Sequence, residues 1–223
     1  MHKLQVIGEA IGQFGSIILI GWLVCHIVKL WLWEYPIIRR PVQTYRAKRR
    51  VSKIQSGPCC LEKKDKAIIE NVERVGRRVE AGAGCLKHSI VFLVTNDTSI
   101  SASACWPNIV LISTGACRDL RNEDELAVIL GHEVGHIVIW RKQGLRERTP
   151  EEARAVEFQA DKLGVELAKK AGYNPNAAVQ WDWRIMGYQY RMGLDILADD
   201  SSSTHPSQIR RIRAINQVLE SYS

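Results

Sequence analysis

The residue types best suited to chemistry lie in the motif HExxH, formed by His132, Glu133 and His136. On a helix the two histidines lie one turn apart and face the same way, so both imidazoles can reach one metal ion. Glu133 projects beside them, where it can hold a water molecule and take its proton. The motif therefore predicts a hydrolytic metal site. The alternative is a chance match on a solvated helix, because so short a motif is only moderately specific.

The surroundings of the motif favour a buried helix over a solvated one. Apolar side chains recur at helical spacing from Leu126 to Val138, and Asn122 with Glu125 is typical of a helix cap. Three ionisable side chains in such apolar surroundings are costly unless something binds them. A bound metal ion would offset that cost.

A third ligand is expected from a later helix. Catalytic zinc sites use three protein ligands and leave one position open for water. The metzincin pattern is excluded, because Ile139 and Lys142 stand where it places a glycine and a third histidine. Glu157 and Asp161 lie one turn apart on a helix predicted over residues 151–171. We expect Glu157 to bind the metal and Asp161 to accept a hydrogen bond from a ligand histidine, although an ordinary acidic helix face is the competing interpretation.

Three blocks of sequence, in this order, resemble the integral-membrane gluzincin peptidases of metallopeptidase family forty-eight. The blocks are NEDELAVILGHEVGHI, EFQADKLGVELAKKAGYNPNAAV and STHPSQIRRI, and the resemblance covers roughly residues 66–219. That family includes the heat-shock protease HtpX, the CAAX prenyl endopeptidases and the mitochondrial overlapping-activity endopeptidase. Its members are zinc endopeptidases, so the resemblance implies the same activity here.

The resemblance also implies roles for individual residues. One zinc ion per chain would be held by three ligands, namely His132, His136 and Glu157, with Glu133 as the general base. His205 and Arg211 would lie near the site, where either could hydrogen-bond the oxyanion of the tetrahedral intermediate. An edge strand over residues 101–105 would bind an extended substrate. Residues 101–108 depart from the family's usual strand and turn, so substrate preference is not carried over.

The spacing of apolar residues in the rest of the chain, together with the resemblance, predicts an α+β fold. We expect a mainly helical zincin-like catalytic domain with a small β-sheet, preceded by an N-terminal transmembrane helix. Strand-like runs are expected at residues 89–95, 100–105 and 109–113. Four helices are expected besides the two already described. They lie at residues 62–81, at residues 115–121, in a segment that begins at Pro175, and from His205 to Leu219.

The N-terminal segment over residues 10–28 is uncharged and apolar, and it is just long enough to span a membrane as a helix. Trp31, Trp33 and Tyr35 follow it as candidate interface anchors. A signal peptide and a buried core helix are the alternatives. We predict three regions: a membrane anchor at 1–35, a basic juxtamembrane linker at 36–60 and the zinc metallopeptidase domain at 61–223.

The formal net charge of +7 is concentrated in basic residues between 39 and 53, directly after the apolar segment. That position favours lipid headgroups over nucleic acid, for which the sequence shows no module. The charge predicts a catalytic domain on the cytoplasmic or matrix side, whereas a mitochondrial relative of the overlapping-activity type would face the intermembrane space. The six cysteines form no metal-binding spacing and favour free thiols, although an oxidising compartment would pair some of them.

These observations predict a zinc-dependent endopeptidase that cleaves membrane or misfolded polypeptides through a metal-activated water. The rival is a membrane-tethered binding or chaperone-like protein with a structural zinc site. Glu133 argues against that rival, because a structural site needs no base and closes its fourth position. A prenyl-peptide protease would need several membrane spans, and the sequence has one candidate. Natural substrate and oligomeric state stay open.

Overall fold

The computed structural model describes residues 65–84, 89–144, 148–193 and 203–222. These residues form helices α1 (Lys66–Gly82), α2 (Thr114–Asp119), α3 (Glu123–Gln143), α4 (Pro150–Lys170), α5 (Ala177–Arg191) and α6 (Gln208–Glu220), with strands β1 (Val91–Thr95), β2 (Ala102–Cys105) and β3 (Ile109–Ser113). Mainly helical structure with one small sheet confirms the α+β class. The proposed anchor and linker lie outside the described residues, within which no helix has the length and apolarity that a membrane span requires.

The sheet has the order β1-β3-β2, with β3 parallel to β1 and antiparallel to β2. Ile109, Val110 and Ile112 of β3 are buried, as expected for a central strand, whose apolar run is covered on both faces. The more polar strand β2 lies at an edge, and Ser103 is exposed there. The two cysteines that the described residues include, Cys105 and Cys117, are free thiols.

Helix α3 lies at the centre of the domain and packs against α1, α4, α5 and the sheet. Its apolar residues are buried on every side, which is the pattern of a core helix. The side-chain oxygen of Asn122 accepts a hydrogen bond from the backbone N–H of Glu125 at 3.0 Å, so the predicted cap is present. The HExxH motif therefore lies on a capped helix that the core surrounds.

Helix α4 has well-defined ends. Thr149 and Glu152 form a reciprocal capping box, and Pro150 occupies the first turn. The backbone leaves the helix at Gly172, whose φ of 83° lies in the left-handed region that favours glycine. These signals place the start and end of the helix close to the predicted range of 151–171.

Glycines allow α3 and α4 to pack backbone against backbone. A Cβ atom added at Gly131 would lie 2.8 Å from the carbonyl oxygen of Gly164, and one added at Gly164 would lie 2.9 Å from the backbone nitrogen of His132. Real Cβ atoms do not approach other atoms so closely. The two helices therefore meet at the turn that carries the first histidine of the motif.

Glu125 links the start of α3 to α5 through a buried ion pair. Its carboxylate is fully buried and accepts hydrogen bonds from Arg184 at 2.7 Å and from the backbone N–H of Arg121 at 2.8 Å. Because its oxygens make these bonds, the Glu125 side chain does not also accept a hydrogen bond from the backbone N–H of Asn122. That second bond would have completed a reciprocal capping box. Burial raises the pKa of Glu125, but Arg184 and the Arg121 N–H outweigh it and hold the pKa below its ordinary value.

Replacing Glu125 with glutamine is expected to lower the free energy of unfolding by about 2 kcal/mol at pH 7, the contribution of a hydrogen bond to a charged group. Because the folded-state pKa is lowered, the carboxylate stabilises the protein above about pH 4.3, the unfolded value, and less as pH falls. The difference between wild type and variant should therefore shrink between pH 5 and pH 3 in urea unfolding. Glu220→Gln, an exposed control, should change stability by less than about 0.5 kcal/mol. A pH-independent difference would contradict this assignment.

Candidate metal centre

Two histidines of α3 and one glutamate of α4 converge on a single point. The Nε2 atoms of His132 and His136 are 3.1 Å apart. The carboxylate oxygens of Glu157 lie 3.5 Å from the first and 3.4 Å from the second. One ligand atom from each residue falls within 4.8 Å of the other two. The residues that the sequence predicted as ligands are thus brought together.

This donor set fits zinc. Two imidazole nitrogens and one carboxylate oxygen are ligands of catalytic zinc sites, and such sites keep a further position open. His132 and Glu157 line a cavity of about 240 Å³, so the group has an open side. The site could therefore hold one metal ion and still admit a water molecule.

The charges around the three ligand atoms also favour a cation. Burial lowers the pKa of His132, but hydrogen bonds to Asp161 and Glu157 reverse this and raise it to about 10. Burial lowers the pKa of His136 to about 4. Burial raises the pKa of Glu157, yet its contacts with His132 and His205 hold that pKa well below the usual range. A positive charge is thus stabilised between carboxylates, where a metal ion would compete with a proton.

Asp161 and Arg211 hold His132 in place. The Nδ1 atom of His132 lies 2.8 Å from Oδ1 of Asp161. Arg211 on α6 donates from Nε to Oδ2 of the same carboxylate, also at 2.8 Å, and from a second nitrogen to Oδ1. A carboxylate on Nδ1 leaves the Nε2 lone pair directed at the metal position. Arg211 thus acts on Asp161 in this structure, behind the ligand.

Replacing Arg211 with methionine is expected to lower zinc affinity by about 10- to 100-fold, the usual effect of losing a partner of a ligand histidine. The reason is that Asp161 would lose two of its hydrogen bonds and hold the imidazole less firmly. Competition with a chromophoric chelator measures this affinity. Arg213→Met, an exposed position on the same helix, is the matched control and should leave it unchanged. Equal affinities for the two variants would remove this role from Arg211.

Glu133 lines the same cavity as His132 and Glu157, two of the proposed metal ligands. It is 7% exposed. Burial raises its pKa, although the neighbouring His132 acts in the opposite direction. A carboxylate with a raised pKa is a better proton acceptor at neutral pH. Its position and environment therefore suit a general base.

His205 lies at the mouth of the cavity, three residues before α6. Its side chain is 71% exposed, and Nδ1 lies 3.4 Å from a carboxylate oxygen of Glu157. The hydrogen bond to Glu157 raises its pKa. The hydroxyl oxygen of Ser203 accepts a hydrogen bond from the backbone N–H of His205 at 3.2 Å. An imidazole held at the rim in this way can contact a molecule that enters the cavity.

Sequence reasoning missed Asp182. It lies on α5, is 3% exposed, and lines the cavity together with Glu133 and Arg211. Burial raises its pKa to about 6. The available signal was its spacing, because Ala178 and Ile185 lie one turn away on either side and also line the cavity.

A buried HExxH helix, crossed by a second helix that carries a carboxylate, is the arrangement of an α+β zincin-like domain. Residues 63–140 and 149–219 match the model of peptidase family M48. The chain therefore belongs to this family of metallopeptidases, as the resemblance implied. The match passes over residues 141–148, the first three of which belong to α3.

Two curated relatives show how far the similarity reaches. The chain is 27% identical to the mitochondrial metalloendopeptidase OMA1 of Arabidopsis thaliana over 56% of its own length and 31% of that protein. It is 29% identical to the beta-barrel assembly-enhancing protease of Yersinia pestis over 33% of its own length and 15% of that protein. The chain thus spans less than a third of the length of either relative.

Proposed function

We propose that this protein is a zinc-dependent endopeptidase that cleaves unfolded or misfolded polypeptides, including membrane proteins. The convergence of His132, His136 and Glu157 within 4.8 Å carries this proposal. Glu133 in the same cavity distinguishes it from a structural zinc site, which has no use for a base. Membership of peptidase family M48 supports the same reaction.

The chain supplies the proton transfers of hydrolysis. A bound zinc ion would polarise the scissile carbonyl and increase the acidity of water. Glu133 accepts a proton from the attacking water and passes it to the leaving amine. His205, exposed beside Glu157, donates a hydrogen bond to the developing oxyanion. Asp161 keeps the ring of His132 in the orientation that a ligand needs.

Strand β2 is the proposed binding site for the substrate backbone. It lies at an edge of the sheet, and Ser101 and Ala102 line the cavity. An extended peptide could add to this edge by backbone hydrogen bonds, which would place it beside Glu133, which lines the same cavity. A folded protein rarely presents such a segment, so this mode of binding favours unfolded substrates.

The membrane is the second proposed partner. The apolar segment at residues 10–28 and the basic residues that follow it suit a single-pass anchor beside anionic lipid. By charge, the domain at 61–223 would lie on the cytoplasmic or matrix side. The family resemblance implies the alternative of the mitochondrial inner membrane, with the domain facing the intermembrane space. Similarity to a mitochondrial metalloendopeptidase supports a mitochondrial location.

Cleavage of casein by the purified full chain tests the proposed activity. We expect cleavage with stoichiometric zinc, its loss on adding a chelator, and its return when zinc is restored. Circular dichroism before and after chelation shows whether the fold survives, so that loss of chemistry is separated from unfolding. A folded chain with full zinc that cleaves no unfolded polypeptide would favour the binding protein with a structural zinc site.

A further inference from the structure

Asp182 is a buried carboxylate that the proposed reaction does not use. Its Oδ2 atom is inaccessible to solvent and has no hydrogen-bond partner, and the residue as a whole is 3% exposed. It lines the cavity that also contains His132, Glu133 and Glu157. A buried acceptor without a partner is costly and uncommon. Because Asp182 lines the cavity, its carboxylate lies where a donor on a bound ligand can approach it.

The nearest cation does not neutralise this carboxylate. The attraction of Arg211 lowers the pKa of Asp182, yet burial outweighs it and the pKa remains at about 6. Arg211 gives two hydrogen bonds to Asp161, so its charge is already paired. Among the described residues, four carboxylates and one arginine line the cavity, and that arginine is bonded to Asp161.

The cavity walls suit the stem of a long side chain. Apolar side chains make up much of the cavity lining, among them Val128, Ile129, Val165, Trp181 and Ile185. A lysine or arginine side chain combines an apolar stem with a charged end. Its stem would contact these walls while its end reached the carboxylate. Charge-assisted hydrogen bonds of this kind are stronger than neutral ones.

We propose that this cavity is the pocket for a substrate side chain next to the scissile bond, and that Asp182 binds the cationic end of a lysine or arginine there. This inference rests on the proposed peptidase function and adds a substrate preference to it. Asp182 is a binding residue in this account, because it contacts the substrate side chain and takes no part in proton transfer.

Matched peptides that differ only in one side chain test the pocket. One series carries lysine and the other norleucine, which keeps the stem and lacks the ammonium group, at each position around a cleavage site mapped in casein. With the full chain and stoichiometric zinc, we expect kcat/KM to favour lysine by about tenfold or more at one position. Asp182→Asn should reduce this ratio to about twofold or less, since the amide has the same shape without the charge. Asp65→Asn changes a carboxylate outside the cavity and should preserve it.

Each result decides the question. Equal cleavage of lysine and norleucine peptides by the wild type would overturn the pocket while the peptidase function stands. This comparison uses the wild-type protein alone, so it does not depend on whether a variant folds. A lysine preference that survives Asp182→Asn would also overturn the proposed pocket, because another group would then bind the ammonium group of lysine. If casein is not cleaved, the peptidase function fails, and fluorescence polarisation decides with casein-derived peptides that carry either lysine or norleucine at one position. A binding preference for lysine that needs Asp182 supports the pocket, and equal binding overturns it.

Discussion

Replacing Glu133 with glutamine is expected to reduce kcat for peptide hydrolysis by about a thousandfold, within the range that a general base contributes. Glutamine keeps the shape of the side chain, but it cannot accept a proton from water. Zinc content and fold should be unchanged, because the three proposed ligands remain. Single-turnover cleavage of a casein peptide, with zinc measured on the same sample, separates these quantities.

A control with the same chemical change is available on α4. Glu151 is exposed, so Glu151→Gln removes a carboxylate without touching the cavity and should leave kcat at the wild-type value. If Glu133→Gln retains full activity with full zinc, proton transfer by this residue is wrong and another base must be sought. If both zinc and activity are lost, the residue contributes to metal binding instead.

Replacing Gly164 with valine is expected to lower the free energy of unfolding by about 3 kcal/mol or more, at the upper end for overpacking. The new Cβ would lie 2.9 Å from the backbone nitrogen of His132 and 3.2 Å from the carbonyl oxygen of Val128. Backbone atoms cannot rotate aside as a flexible side chain can, so α3 and α4 must separate. Zinc affinity should fall as well, because Glu157 moves with α4. Urea unfolding and chelator competition measure the two effects.

Gly187→Ala is the matched control, and its expected sign is opposite. A Cβ there would meet only the end of the Arg191 side chain, at 3.6 Å. Alanine has the better helix propensity, so this variant should be more stable than wild type by about 0.5–1 kcal/mol. If Gly164→Val were as stable as Gly187→Ala, the close packing of the two helices would not be what holds the ligands together.

The helices and strands were predictable because their signals are local. Caps, proline at a first turn and the apolar spacing of α3 and α4 depend on neighbouring residues, and the observed ends lie within a few residues of the predicted ones. The meeting of His132, His136 and Glu157 was predicted from helical spacing and the chemistry of zinc ligands, with no account of how the two helices approach. Gly131 and Gly164 supply that account, and the sequence alone does not show that they face each other.

What the sequence could not show depends on tertiary contacts. The parallel pairing of β1 with β3 joins strands that are not consecutive, and no local pattern specifies it. The proximity of Arg211 was implied by the resemblance, but its two hydrogen bonds to Asp161 follow from how α6 packs. Asp182 was missed because its helical spacing with Ala178 and Ile185 does not by itself show that this face of α5 lines the cavity. The anchor predicted at residues 10–28 lies outside the described residues and stays a prediction.

The division of the proposed ligands between two helices would couple zinc supply to folding. His132 and His136 are adjacent wherever α3 forms, but Glu157 reaches them only when α4 packs across it. Zinc should therefore bind the folded chain much more tightly than the unfolded chain. Each tenfold rise in free zinc above the Kd would then add about 1.4 kcal/mol to the free energy of unfolding. In a cell, zinc shortage would increase the unfolded fraction that other proteases degrade, so the abundance of this protein should follow the zinc supply.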